Sequence, residues 1–318
     1  MSSPWVDKYN PRSINDIVGN DNITSRLRLI SENGNIPNMI ICGSSGTGKT
    51  SSIHVIARKI LGELYNDGLL QISSSVCRDV DFIRNIVKNF SRKMVKLPTG
   101  VHKIIVIEEA EALPTDSQQA LKRIMELHSK TTRFIFSSNS SSKIIEPLQS
   151  RCAVVRFSKL ENEHIISRIV HICNQESVEY TKDGLDAIVF TADGDMRNAV
   201  GNLQATYTGM GVINHENVFR LCDTPKPDIV RGIIKNCQNN EFVKAMNGVK
   251  SLKRDGHSSQ DITNTFFKVC KVLPDVSDED RMKMLKAISS SHIRILNGIT
   301  SEIQLVSMCS SLCRVSHI

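Results

Sequence analysis

An eight-residue stretch constrains this chain more than any other feature. Gly43-Ser44-Ser45-Gly46-Thr47-Gly48-Lys49-Thr50 fits the pattern GxxxxGK[ST], and the apolar run Met39-Ile40-Ile41-Cys42 leads straight into it. A strand entering a glycine-rich loop that opens a helix turns successive backbone N–H groups toward one point, where the helix N-terminus adds positive potential. Lys49 is placed to reach outer phosphates, and the Thr50 hydroxyl is placed for Mg2+. This segment therefore predicts a nucleotide site on a strand–loop–helix unit.

The surrounding pattern agrees with such a unit. β-rich runs at 39–42, 69–73, 101–107, 133–137 and 153–157 alternate with helical stripes such as Val80, Ile83, Val87, Phe90 and Ala120, Ile124, Leu127. Several runs are apolar on both faces, as a parallel sheet covered by helices on both sides requires. The expected class is α/β, a doubly wound parallel sheet, over residues 1–160. Strand signals stop there. Residues 161–224 carry short helical segments, and two prolines, Pro225 and Pro227, punctuate the chain. Residues 225–318 are helical again and show no chemistry, so a packing or oligomerisation domain is expected.

Charge separates these regions. The net charge is +7, but residues 1–160 hold 22 Lys/Arg against 14 Asp/Glu, whereas the remainder hold 18 against 19. A polyanion partner is thus expected on the N-terminal half. The longest apolar run is only four residues long, which excludes a membrane span. The opening MSSPWVDKYNPR has no apolar core of a secretory signal. Nine cysteines without a CxxC pair predict reduced thiols, and Cys309 and Cys313 lack the further ligands of a metal site.

A phosphate loop that hydrolyses nucleotide needs an acidic strand end to hold the metal and polarise water. Ile104-Ile105-Val106-Ile107 followed by Glu108-Glu109-Ala110-Glu111 supplies one, and it resembles a DEAD-type Walker B motif. Glu108 stands where that motif normally has a metal-orienting Asp. Its extra methylene adds about 1.5 Å of reach, while Mg2+ favours near-ideal octahedral geometry. A bridging water could absorb the difference. Glu109 takes the catalytic-base position.

Further pieces follow in order: Asn139 after the run at 133–137, Ser150-Arg151-Cys152 within EPLQSRC, and Gly194-Asp195-Met196-Arg197 within GDMRNA. With Trp5-Val6-Asp7-Lys8-Tyr9-Asn10-Pro11 at the start, the chain resembles the small subunits of the eukaryotic replication factor C (RFC) clamp loader, which are AAA+ ATPases. The resemblance covers nearly the whole chain and is strongest over 1–221. It implies an AAA+ α/β domain, a small helical lid over 161–224 and a helical collar over 225–318. It also implies an ATPase acting within a heteropentamer of replication factor C subunits. That assembly would open a sliding clamp (PCNA) and load it onto primer–template DNA in the nucleus.

The same resemblance assigns residues. Val6 and Val18 would line an adenine pocket, and Gly43, Ser44, Ser45, Gly46, Thr47, Gly48, Lys49, Thr50 and Ser51 would wrap the phosphates. Thr50 and Glu108 would serve Mg2+. Asn139 and Arg197 would sense the γ-phosphate of ATP. Arg151 would act in trans as an arginine finger in a neighbour's site. A structural subunit that binds ATP but hardly hydrolyses it, and another AAA+ DNA motor, are the alternatives. For DNA, Arg84, Lys88 and Arg92 recur every four residues, so they share a helix face beside Arg78. The resemblance favours Arg78 and Arg84 as the contacts; a solvated helix face is the plainer account of the other two.

Overall fold

A computed structural model describes residues 3–32, 34–74, 80–98, 100–222, 224–274 and 276–315. Arg78, expected to contact DNA, lies outside the described residues. The chain divides into two compact units, Met1–Asn214 and His215–Ile318.

The first unit is built on five parallel strands: β1 (Met39–Cys42), β2 (Leu69–Ser73), β3 (Lys103–Glu108), β4 (Thr132–Ser138) and β5 (Ala153–Arg156), in the order β2-β3-β4-β1-β5. Alternation along each strand feeds two cores. Ile40, Ile105, Ile107, Phe134 and Phe136 pack with Ile83, Val87, Leu121 and Ile124 of helices Val80–Arg92 and Thr115–Leu127. Met39, Ile41, Ile104, Val106 and Ile135 face the other way, onto Ile53, Ile56 and Ala57 of helix Lys49–Leu61 and Leu27 of helix Asp21–Glu32. Central strands buried on both faces are what the continuous apolar runs required.

The strand limits differ from the sequence reading in one informative place. Val101 closes a turn on the Pro98 carbonyl, so β3 starts at Lys103, and pairing of Glu108 with Ser73 carries the strand through the first acid. Lys103 is itself buried, and its ammonium donates to the carbonyls of Phe90, Ser91 and Lys93 at 2.9, 2.6 and 2.8 Å. It thereby satisfies backbone acceptors at the C-terminus of helix Val80–Arg92, where a cation is also favoured by the helix dipole. Burial lowers its pKa.

After β5 the first unit is helical: Asn162–Glu176, Lys182–Ala192 and Met196–Met210. The second unit starts with helix His215–Leu221, ahead of the two prolines, and continues through Pro227–Gln238, Phe242–Arg254, Ser259–Val272, Asp278–Leu296 and Glu302–Val315. Ser258 and Ser277 cap two of these helices by accepting the N–H groups of Asp261 and Asp280. Val230, Ile234, Ile262, Phe266, Ile288, Met308 and Leu312 are among the residues buried in this unit. All described cysteines are free thiols; burial pushes Cys152 up to about 12 and Cys313 up to about 11. No helix among the described residues is long and apolar enough to cross a membrane.

Candidate nucleotide-binding site

Parallel pairing brings the chemistry to one edge. β1, β3 and β4 all end there, so the loop after Cys42, the acids from Glu108 onward and Asn139 emerge side by side. The order β2-β3-β4-β1-β5 reverses direction at β1, and open parallel sheets bind ligands at such switch points. A cavity of about 400 Å³ lies there, within the usual ligand range.

The loop can take its shape only with glycine at two places. At Gly43, with φ +154°, a Cβ would lie 2.5 Å from the Phe157 carbonyl oxygen. At Gly46, with φ +63°, it would lie 1.7 Å from Asp195 Oδ1. Helix Lys49–Leu61 begins inside the motif, at Lys49, and Lys49, Thr50 and Ser51 of its first turn line the cavity. Lys49 is buried and donates to the Gly43 and Ser44 carbonyls, both at 2.6 Å, and to Asn139 Oδ1 at 3.2 Å. Burial lowers its pKa, and Glu111 is the leading charge opposing that shift.

On the acidic side, Glu108 Oε1 is buried and finds no hydrogen-bond partner among the described residues. Glu109 is exposed, lines the cavity and sits in the left-handed region at φ 52°, ψ 44°. A non-glycine residue there is sparsely populated and clusters at functional sites. This turn starts the short helix Ala110–Ala112 and brings Glu111 back toward β4, where its Oε1 accepts the Asn139 N–H at 3.0 Å.

The helical segment closes the other side. Asp195 Oδ1 accepts the Asn198 N–H and caps helix Met196–Met210, while the Met196 N–H donates to the Gly46 carbonyl at 3.1 Å. Arg197, on the first turn of that helix, lines the cavity. The N-terminal segment forms the rim. Trp5 stacks on Tyr207 with ring centroids 5.5 Å apart, and its backbone N–H donates to Gln204 Oε1. Lys8 and Tyr9 both donate to Glu176, at 2.5 and 2.6 Å. Arg168 holds the Tyr9 carbonyl, and Ser51 donates to Asn10.

Val6, Val18, Ser45, Gly46, Thr47, Gly48, Lys49, Thr50, Ser51, Glu108, Glu109, Asn139 and Arg197 thus share one cavity. Gly43 and Ser44 lie behind it, held by Lys49. Arg151 does not line it: the guanidinium pairs with Glu126 at 2.5 Å and donates to the Pro147 carbonyl. Arg84 is exposed on helix Val80–Arg92, away from the buried Ile83 and Val87. Glu111, Arg168 and Asn10 also line the cavity without having been assigned a role from the sequence. Glu111 carried a signal as the third acid of its run and Asn10 as part of the opening segment, whereas Arg168 carried none.

The residues present suit a magnesium nucleotide. Gly43 and Gly46 let the loop backbone pack against Phe157 and Asp195. Glu108, whose buried Oε1 has no hydrogen-bond partner among the described residues, lines the same cavity as Thr50, so the two would offer oxygens of the kind a hard cation takes.

Comparison with known proteins agrees with this geometry. The chain is 45% identical to replication factor C subunit 4 of Saccharomyces cerevisiae over 100% of its length and 98% of that relative. The chain belongs to the replication factor C family. It is 47% identical to the probable replication factor C subunit 2 of Dictyostelium discoideum, covering 98% of this chain and 93% of the relative. Identity to a replication factor C small subunit from Natronomonas pharaonis is 34%, over 98% and 95%. In this chain, residues 39–160 match the ATPase family associated with various cellular activities (AAA), and residues 225–311 match the replication factor C C-terminal domain. Among solved structures, the Thermotoga maritima RuvB Holliday junction branch migration motor superposes with a TM-score of 0.57 at 18% identity, over 72% of this chain and 78% of that one. At that identity the likeness establishes the AAA+ fold and nothing more.

Proposed function

We propose that this chain is an ATP-hydrolysing subunit of a heteropentameric clamp loader, which opens a sliding clamp (PCNA) and places it on primer–template DNA in the nucleus. The carrying observation is the split in the site: Lys49, Thr50, Glu108, Glu109, Asn139 and Arg197 meet in one cavity, while Arg151 stands outside it. With Arg151 outside its own cavity, the finger arginine for this site would come from a neighbouring subunit.

In this reading the loop and the N-terminus of helix Lys49–Leu61 bind the phosphates, Val6 and Val18 flank the base, and Glu109 accepts a proton from the attacking water. Thr50 and Glu108 would hold Mg2+, which when bound neutralises charge on the phosphates. Asn139 and Arg197 orient the γ-phosphate. An arginine supplied in trans contributes about 10³–10⁵ in rate, so turnover follows assembly. Residues 161–224 act as a lid and 225–318 as a collar joining subunits. Arg84, with Arg78, tracks the phosphate backbone, in keeping with the positive balance of residues 1–160.

A second reading, a subunit that binds ATP with little hydrolysis, is favoured by glutamate at 108. The test of the first is ATP turnover by the complex co-purified with its partner subunits. Stimulation by a sliding clamp with primed DNA is expected. Turnover indifferent to both would overturn the clamp-loader reading.

A further inference from the structure

Glu111 has no part in the chemistry assigned above, yet it lines the same cavity as Lys49 and Asn139. Its Oε1 accepts the Asn139 N–H at 3.0 Å, and Asn139 Oδ1 in turn accepts from Lys49 at 3.2 Å. Its Oε2 is buried, lacks a hydrogen-bond partner among the described residues, and belongs to a side chain lining the cavity. The left-handed turn at Glu109 is what returns Glu111 to the end of β4. A backbone conformation of this kind persists only where the surroundings over-determine it.

We propose that Glu111 is a positioning residue that fixes the Asn139 backbone, so that the Asn139 carboxamide is held where a third phosphate arrives beside Lys49. This rests on the reading of the cavity as a nucleotide site. Asn139 follows β4 directly and its side chain is short, so its amide group goes where its backbone is held. A hydrogen bond to an ionised acceptor is among the stronger ones a protein makes, and Glu111 makes it from a rigid turn. In the nucleotide-site reading Asn139 meets the γ-phosphate, which ADP lacks. Loss of Glu111 therefore reduces discrimination between triphosphate and diphosphate, whereas a merely structural role would weaken both nucleotides alike.

The experiment measures affinities of the full chain for a non-hydrolysable ATP analogue and for ADP, each carrying a fluorescent ribose label. Glu111→Gln retains an acceptor for the Asn139 N–H, so its triphosphate preference stays within about twofold of the parent. Glu111→Ala is expected to lower that preference about fivefold with ADP affinity unchanged. Glu111→Asp, one methylene shorter, keeps the charge but loses the reach and should follow Glu111→Ala; it serves if Glu111→Ala does not fold. Unchanged preference in Glu111→Ala or Glu111→Asp, or equal weakening of both nucleotides, overturns the assignment. Lys49→Ala runs alongside. If it weakens neither nucleotide, the nucleotide-site reading falls instead.

Discussion

Arg151 is tied to Glu126 by a 2.5 Å ion pair, on a surface apart from the nucleotide cavity. Both side chains are about 40% exposed, and a pair that exposed is worth roughly 0–1 kcal/mol. The guanidinium is therefore ordered but cheaply released, which suits a group that changes partner on assembly. Arg151→Ala should leave the fold and this chain's own ATP affinity unchanged. Hydrolysis in the adjoining site should fall by about 10³ or more. Single-site turnover measured in the assembled complex separates the two. Equal loss of binding and hydrolysis at this chain's own site would refute action in trans.

Glu108 tests how far this site is tuned for turnover. Its buried, unpartnered Oε1 is about one methylene, roughly 1.5 Å, farther from the backbone than an aspartate oxygen would be. Glu108→Asp should raise ATP turnover in the complex if the longer side chain misplaces the metal. Steady-state turnover and nucleotide affinity measured side by side decide the matter. Unchanged turnover would remove the case for a weakly hydrolysing subunit.

The N-terminal clamp predicts a pH dependence. Hydrogen bonds from Lys8 and then Tyr9 hold the Glu176 carboxyl below its ordinary pKa. A depressed carboxylate contributes stability that is fully present above its unfolded value and is lost as pH falls through the folded one. Trp5 is the single tryptophan and reports on this segment through its stack on Tyr207. Its emission should shift to the red on acidification below the usual glutamate range. In Glu176→Gln that shift should be absent.

Lys103 offers a stability test remote from the nucleotide. Replacing its ammonium with a thioether in Lys103→Met removes the donor to three carbonyls. Leaving them unpaired should destabilise the first unit by about 2 kcal/mol. Denaturant midpoints measure it; a midpoint equal to the parent's would show that other donors replace the ammonium.

Much of this was legible in advance because the relevant signals are local. Gly43 through Thr50 specify a phosphate loop by spacing alone, and β1 and β3 announce burial on both faces through the apolar runs Met39 to Cys42 and Ile104 to Ile107. Other features were not legible because their causes are distant. Lys103 reads as an ordinary charge at a strand start, and nothing nearby reveals the carbonyls above it. Glu109 gives no sign of a left-handed backbone. Glu111 reads only as the third acid of its run, because the left-handed turn that sets its direction leaves no local mark in the sequence. Arg151 drew its meaning from the SRC triplet, whereas its separation from the cavity is set by the tertiary structure.

The amino-acid order by itself determined the classes of element, the doubly wound sheet and the chemical identity of the phosphate loop. Periodicity and glycine placement express constraints that act within a few residues. Tertiary structure alone decided which side chains converge. Parallel pairing delivers Lys49 and Asn139, 90 positions apart, to one sheet edge, and the helical segment brings Asp195 against Gly46. Those meetings depend on strand order and on where each helix packs, quantities to which no single stretch of sequence is sensitive.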